Sequence, residues 1–280
     1  DITVLPSPIA PWMGAPLRVL FTSEKPLKGE LTLIAPDGKV AATARDRQGG
    51  PPYFWTAEVA KPEAGKWRAT LSGGAAGCGT LTRDITVSEH KPAAPGAIAG
   101  SVWPIRHAWN RGMENLYSAW IEKLFDAPLD AELSWPALHV GLRDAKRNFL
   151  FDYLGLGEDQ IKLVLRPDCA DLPYFLRMYF SFKMGLPFGY SKCSRGGGGK
   201  GPTCFGWAST QTRAATSGSA SQETNAKRQS LAASFGSFTR VVADAVHSGT
   251  GRTALADNNT DYYPVALTQD TLRPGVIYAD

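Results

Sequence analysis

Short apolar runs broken by glycine and proline fill the first part of the chain. Leu17 to Phe21, Gly29 to Ile34, Val40 to Ala44, Tyr53 to Val59, Gly65 to Leu71 and Thr80 to Val87 are rich in β-branched and aromatic residues and alternate in part, which is the period of a half-buried strand. Pro36-Asp37-Gly38 separates two of these runs. Proline presets φ and glycine accepts a positive φ, so a turn is predicted there. About six or seven short strands in one stretch predict an all-β immunoglobulin-like sandwich over residues 1–90. Gly65 and Trp67 fit the late hairpin strand of such modules, where a glycine turn feeds an inward tryptophan.

The period changes after Lys91-Pro92-Ala93-Ala94-Pro95-Gly96-Ala97-Ile98-Ala99-Gly100, whose composition is that of a linker. Residues 91–104 are read as that linker and 105–280 as a second domain. There Met113, Leu116, Tyr117, Trp120, Ile121 and Leu124 recur at helical spacing, predicting a helix with one buried face. Ser134-Trp135-Pro136 is a second helix start, with Leu138 and Leu142 on one stripe. A third helix is expected from Cys169 to Met184 and a fourth from Ser230 to Val246. Strand-like runs appear at Ile161 to Leu165 and Pro274 to Tyr278, so the second part reads as α+β. Ala208 to Gln229 is almost wholly Ser, Thr, Ala, Gln, Asn and charge, and predicts a long surface loop.

Composition narrows the classes. The chain has 280 residues, and at about 150 per domain two domains are expected. Hydrophobic residues are 43% and charged residues 20%, a globular balance that excludes a disordered tail or a collagenous fibre. A net charge of +4 is too small to read as nucleic-acid binding. No apolar run approaches the roughly 18 to 20 residues of a membrane span. The chain opens on Asp1-Ile2-Thr3-Val4, with no basic or apolar leader. That start fits a protein trimmed of a secretion signal, so a periplasmic or secreted location is expected.

The four cysteines differ in their surroundings. Cys193 and Cys204 flank a glycine-rich loop whose ends can meet, and a disulfide is expected to close it. Zinc fits less well, because the spacing is too wide for a CxxC knuckle and no second pair lies nearby. Cys78 sits among glycines at a strand edge and reads as an inert thiol. Cys169 follows Arg166-Pro167-Asp168 at the expected first turn of an amphipathic helix. With Asp168 as N-cap and Asp171 in the first turn, the thiol faces unpaired amides and the positive helix end. Those favour a thiolate nucleophile and an oxyanion. The same position suits a structural cysteine beside a capping aspartate.

At these residues a family resemblance arises. Asp168-Cys169-Ala170-Asp171-Leu172, followed by an aromatic-rich helix and Gly185-Leu186-Pro187, resembles the Asp-Cys-Ser-Gly-Leu helix and Gly-x-x-Leu-Pro of the NlpC-type papain-like cysteine peptidases. Leu272-Arg273-Pro274-Gly275-Val276-Ile277-Tyr278 resembles that family's Leu-x-Pro-Gly-Asp strand. The resemblance implies a papain-like α+β domain with a β-rich accessory domain. It further implies a secreted or periplasmic peptidase or amidase that cuts amide bonds in peptidoglycan stem peptides through Cys169; the four scattered histidines suggest no metal site, and no cofactor is expected. The resemblance places the general-base histidine on the strand after the Pro-Gly strand, hence beyond Asp280. Ala170 and Asp171 stand where the family has Ser-Gly, and Val276 where it has aspartate. These departures motivate a second expectation, a noncatalytic envelope binding module that has lost its base.

Among the four histidines present, His90 falls at the end of the sandwich, and His107 and His139 lie in apolar segments where a structural role is usual. His247 follows Cys169 and closes the fourth predicted helix. It is the candidate base within the chain, with helix capping as the alternative. Asp168, Tyr174 and Tyr190 are the candidate substrate contacts, the two tyrosines being the expected exposed exceptions in an aromatic set that otherwise reads as core. Gly196 to Gly201 with Lys200 lacks the Gly-Lys-Ser/Thr ending of a phosphate-binding loop, so nucleotide binding is rejected.

Overall fold

The computed structural model describes residues 2–72, 79–93, 101–160, 164–211, 231–247, 250, 261–269 and 271–278. Cys78, residues 161–163 of an expected strand, residues 94–100 of the expected linker and residues 212–229 of the expected loop lie outside the described residues.

The glycine- and proline-punctuated runs form β1 (Ile2–Ser7), β2 (Leu17–Ser23), β3 (Glu30–Ile34), β4 (Val40–Ala44), β5 (Gln48–Gly49), β6 (Tyr53–Val59), β7 (Gly65–Ser72) and β8 (Leu81–Val87). The Pro36-Asp37-Gly38 turn joins β3 to β4, with Gly38 at φ +84° and its N–H donated to the Ala35 carbonyl at 2.9 Å. One sheet runs β1-β2-β6-β5 and the other β4-β3-β7-β8, with antiparallel pairing throughout. Lettered as in immunoglobulin domains, these orders are A-B-E-D and C′-C-F-G, so the connectivity itself is immunoglobulin-like. Among the described residues no disulfide crosses between the sheets. Trp55 and Trp67 fill that space beside Phe21, Leu31 and Leu71. Their indole N–H groups donate to the carbonyls of Gly29 at 3.1 Å and Glu63 at 2.8 Å, so the burial strands no donor.

The strand β2 of the first sheet is buried on both faces. Every residue of β2 is buried, and Leu5, Leu20 and Phe54 point away from the sandwich into a second core with Leu116, Trp120 and Phe149. Leu17, Val19, Leu20 and Phe21 do not alternate with polar residues because water reaches neither side. Polar ties cross the same junction. The Ser7 hydroxyl donates to the Phe149 carbonyl at 3.1 Å, the Ile9 N–H to Tyr153 O at 2.8 Å, and Arg18 to Phe151 O at 2.6 Å.

The second part contributes α1 (Arg111–Phe125), α2 (Leu138–Leu142), α3 (Leu172–Met184), the hairpin β9 (Gly189–Cys193) with β10 (Cys204–Ser209), and α4 (Leu231–Ala245). Asn110 caps α1 by accepting the Met113 N–H at 3.0 Å. Gly185, in the left-handed region at φ 66°, ends α3. At the close of the expected linker, Trp103 is 1% exposed and wedged among Phe182, Phe235 and Phe238, donating from Nε1 to Leu186 O at 2.9 Å. Helix α3 is buried on most of its circumference, so Lys183 near its end is buried too. Its ammonium reaches Glu158 and, at 2.6 Å, Asp159. Asp159 also accepts the Tyr179 hydroxyl at 2.6 Å, which in turn accepts from Asn148, itself an acceptor for the Trp120 indole at 2.8 Å.

One expected strand does not form. Residues 274–278 are turn and irregular chain, because Pro274 removes a ladder donor and Gly275 adopts φ +95°, turning the chain so that Val276 N–H meets Arg273 O at 3.0 Å. The segment rests on α1: a Cβ on Gly275 would sit 2.6 Å from the Tyr117 ring, and Arg273 donates to Asn115 Oδ1 at 2.9 Å.

Candidate functional site

Cys169 is exposed, in a turn just before α3. The helix starts at Leu172 rather than at Cys169, and Pro173 supplies the reason. It has no N–H to donate to the carbonyl of Cys169, four residues earlier, so the Leu172 N–H to Asp168 carbonyl bond that spans the cysteine is not followed by the next bond of a helical ladder. Asp168 is therefore not the helix N-cap. Its carboxylate accepts the N–H groups of Ala170 at 2.8 Å and Asp171 at 2.9 Å, and its carbonyl accepts Leu172 N–H at 3.0 Å. The amides expected to face a thiolate are thus already paired. Asp171 is the N-cap, with no side-chain capping bond. Its carboxyl is pushed upward by burial and by the Asp168 charge, and pulled back by the Asp168 backbone, the His247 imidazole and the Arg195 guanidinium.

The charges of His247 and Arg195, from two distant segments, are the weakest influences on that carboxyl. His247 follows α4, held where its backbone N–H donates to Thr250 Oγ1 at 2.9 Å and its carbonyl accepts Thr250 N–H at 2.7 Å. Arg195 comes from the tip of the β9–β10 hairpin. The four glycines after it, Gly196 to Gly199, take φ of +73°, +142°, +59° and +77°, a run of positive values that other residues resist. Cys193 and Cys204 form the expected disulfide across the base of this tip. Replacing both with alanine frees a short loop in the unfolded chain, and we expect a loss of about 2–3 kcal/mol on the loop-entropy scale, read from chemical denaturation.

Tyr174 and Tyr190 are not the exposed groove residues expected. Tyr174 is 4% exposed and Tyr190 1% exposed. The Tyr174 ring lies against Tyr262 at 5.4 Å, and its hydroxyl donates to Asp261 Oδ2 at 2.9 Å. Tyr190 packs into the core against Phe188 and Phe238. Burial, with Tyr262 and Asp261 alongside, holds the Tyr174 phenol far above its ordinary range, and burial pushes Tyr262 up to about 12. Both are therefore neutral hydrogen-bonding groups at physiological pH. Asp261 also accepts Ser191 N–H at 2.8 Å and Ser191 Oγ–H at 2.7 Å, which fastens the first turn of α3 to the edge of β9. Sequence reading missed Asp261, Tyr262 and Ser191: they belong to no motif, and the adjacent pair Asp261-Tyr262 is far from Ser191 along the chain, with a separation of 70 between Ser191 and Asp261.

Chemically, the segment before α3 offers an accessible thiol, Cys169, and two residues on a carboxyl of raised proton affinity, Asp171. Among the described residues no group of three His, Cys, Asp or Glu side chains is gathered to hold a metal, and no helix is long and apolar enough to cross a membrane.

No family model matches the chain, and no curated protein matches it. Among solved structures it is similar to the first immunoglobulin domain of mouse SynCAM 2, at 12% identity over 31% of this chain and 97% of that one, with a TM-score of 0.23. A second is the Ig1-2 module of the Drosophila receptor protein tyrosine phosphatase DLAR, at 11% identity over 35% of this chain and 53% of that one, with a TM-score of 0.24. A third is AaCel9A in complex with cellobiose-like isofagomine, at 11% identity over 44% of this chain and 17% of that one, with a TM-score of 0.22. Similarity at that level bears on no function, and the immunoglobulin-like description rests on the strand order alone.

Proposed function

We propose that this chain is a cysteine-dependent amidase or peptidase of papain-like type, acting outside the reducing cytosol on peptidoglycan stem peptides. The observation that supports the reading is the exposed thiol of Cys169 in the turn that leads into α3. In the reaction an imidazole, which the resemblance puts beyond Asp280 and for which His247 is the candidate within the chain, takes the thiol proton as sulfur attacks the amide carbonyl. It then passes that proton to the departing amine, leaving a thioester that water hydrolyses. The disulfide of the neighbouring hairpin suits an oxidising compartment. The substrate class comes from the sequence resemblance.

A second reading, a noncatalytic envelope binding module, is favoured by one observation. The Asp168 carboxylate already occupies the amides of residues 170 and 171, removing donors an oxyanion would use. Release of soluble peptides from purified peptidoglycan, followed by mass spectrometry, tests the enzyme. We expect release by the wild-type chain and none by Cys169→Ala; equal release would discard the thiol mechanism. Alkylation of the Cys169 peptide by iodoacetamide at pH 7 separates the two readings. A rate at least tenfold lower in His247→Gln supports the catalytic pair, and an unchanged rate supports the binding module.

A further inference from the structure

Away from the thiol, where the sandwich meets the helices, a cleft of about 170 Å³ opens between β2, β6, the end of α1 and the segment 145–149. Its walls carry three cationic side chains, Arg18, Lys123 and Lys146, against one carboxylate, Glu58, with Thr56, Phe149 and two alanines in the rest of the lining. Arg18 and Glu58 are direct cross-strand partners on β2 and β6, a placement that ordinarily yields an ion pair. Here the guanidinium turns inward instead. It donates to Asn148 O at 3.3 Å, Phe151 O at 2.6 Å and the Ser7 hydroxyl at 3.1 Å, all neutral acceptors, and its centre lies 5.8 Å from the Phe149 ring.

Arg18 is 8% exposed, and its Nε is buried with no hydrogen-bond partner. A buried cation without a counter-ion is costly, and this one borders a cavity whose other two cations, Lys123 and Lys146, also form no ion pair among the described residues. Burial lowers the proton affinity of both Arg18 and Lys123, only partly offset by Glu58, Tyr179, Asp152 and Asp159 around Arg18 and by Asp126 and Glu58 around Lys123. These groups share a deficit of negative charge that a small anion would fill.

We propose that this cleft binds a phosphate group, with the Lys123 and Lys146 ammonium groups as its direct partners, Thr56 as a hydroxyl donor and Arg18 as the fixed positive charge behind it. Compact ammonium groups suit a tetrahedral oxyanion as point charges, whereas the Arg18 fork is already engaged. The volume is well below that of a drug-sized pocket and admits one phosphoryl group. Glu58 at the rim disfavours a bare anion and favours a phosphate whose neighbouring atoms carry hydroxyl or amine donors. The site is independent of the proposed thiol chemistry.

The test is calorimetric titration of the full chain with inorganic phosphate and with glycerol phosphate at low ionic strength, where exposed charges are least screened. We expect saturable binding, tighter for glycerol phosphate. It should weaken at least tenfold in the double variant Lys123→Gln, Lys146→Gln, and inorganic phosphate should bind several-fold more tightly in Glu58→Gln. These positions are at least partly exposed, so the variants should fold, which unchanged thermal unfolding would verify. No saturable heat in the wild type, or equal affinity in the double variant, overturns the proposal. Sedimentation with phosphatidylglycerol vesicles, against phosphatidylcholine alone, identifies the source of the phosphate. Binding lost in the double variant assigns a lipid headgroup, and binding of glycerol phosphate without vesicle binding assigns a soluble ester.

Discussion

Replacing Lys183 with methionine should cost about 3–5 kcal/mol of stability, the usual penalty for removing one member of a buried ionic network. Methionine fills nearly the same volume, so the loss is electrostatic rather than a cavity effect. Glu158 and Asp159 would be left 3% exposed each without the ammonium that both now bond. Their remaining donors, the N–H groups of Leu154 and Leu156 for Glu158 and the Asp152 N–H and Tyr179 hydroxyl for Asp159, carry no full charge and cannot neutralise two carboxylates. The urea midpoint at pH 7 measures the loss. Adding Glu158→Gln and Asp159→Asn to the variant should recover most of it, because the stranded charges go with the cation. A loss below about 1 kcal/mol for Lys183→Met would show that the carboxylates find water or protons instead.

The same network dictates an acid dependence. Burial alone would raise the Glu158 carboxyl, but the charge and hydrogen bond of Lys183 outweigh it and bring the group from 4.5 down to about 2. A carboxyl depressed by folding contributes stability that is full above its unfolded value and disappears as pH falls through its folded value. The wild-type advantage over Lys183→Met should therefore shrink between about pH 4.5 and pH 2. Asp152 acts in the opposite direction. Burial and its hydrogen bond with Glu158 raise it, so its share of stability is lost as pH rises through the folded value. Titrating both proteins at matched ionic strength separates the two contributions.

Trp103→Ala should cost about 3–5 kcal/mol, the range for truncating a buried aromatic. The indole is 1% exposed and touches rings of α3 and α4, with Phe182 at 5.8 Å and Phe238 at 5.6 Å. Removal leaves a cavity between two helices that cannot close without moving the chain, and it strips the Leu186 carbonyl of its donor. Trp103→Phe refills most of the space and should recover more than half of the loss, leaving the missing hydrogen bond. Equal losses for alanine and phenylalanine would place the cost in the N–H group rather than in packing.

Much of the architecture was legible because local patterns and tertiary packing agree. Helix α1 follows from apolar positions repeating every three to four residues, and the sandwich strands follow from glycine and proline breaks between β-branched runs. The start of α3 was misplaced because an aspartate before an apolar run looks like a cap, while the deciding atom was the missing hydrogen on Pro173. The final strand was misread because Val276, Ile277 and Tyr278 have strand propensity but find no edge to pair with among the described residues. Lys183 did leave a trace, as a lone cation in the apolar run Phe180 to Met184. Its partners Glu158 and Asp159 were invisible because only folding brings them near. The same holds for Asp261 beside Tyr174. Cys169 stands out by residue type, yet its surroundings depend on Asp168, whose carboxylate takes up the amides of Ala170 and Asp171.

The sheet carrying Leu5, Leu20 and Phe54 serves as a party wall, with a different occupant leaning on each side. Modules strung together as beads can be deleted, duplicated or transplanted, because each keeps its own skin. This one has none on that side: cut free, it would present an oily plane and a bare guanidinium to solvent. The immunoglobulin-like portion is therefore bound to fold, melt and diverge together with its neighbour, and swapping it for another sandwich of the same strand order would require recutting the face that the helices grip.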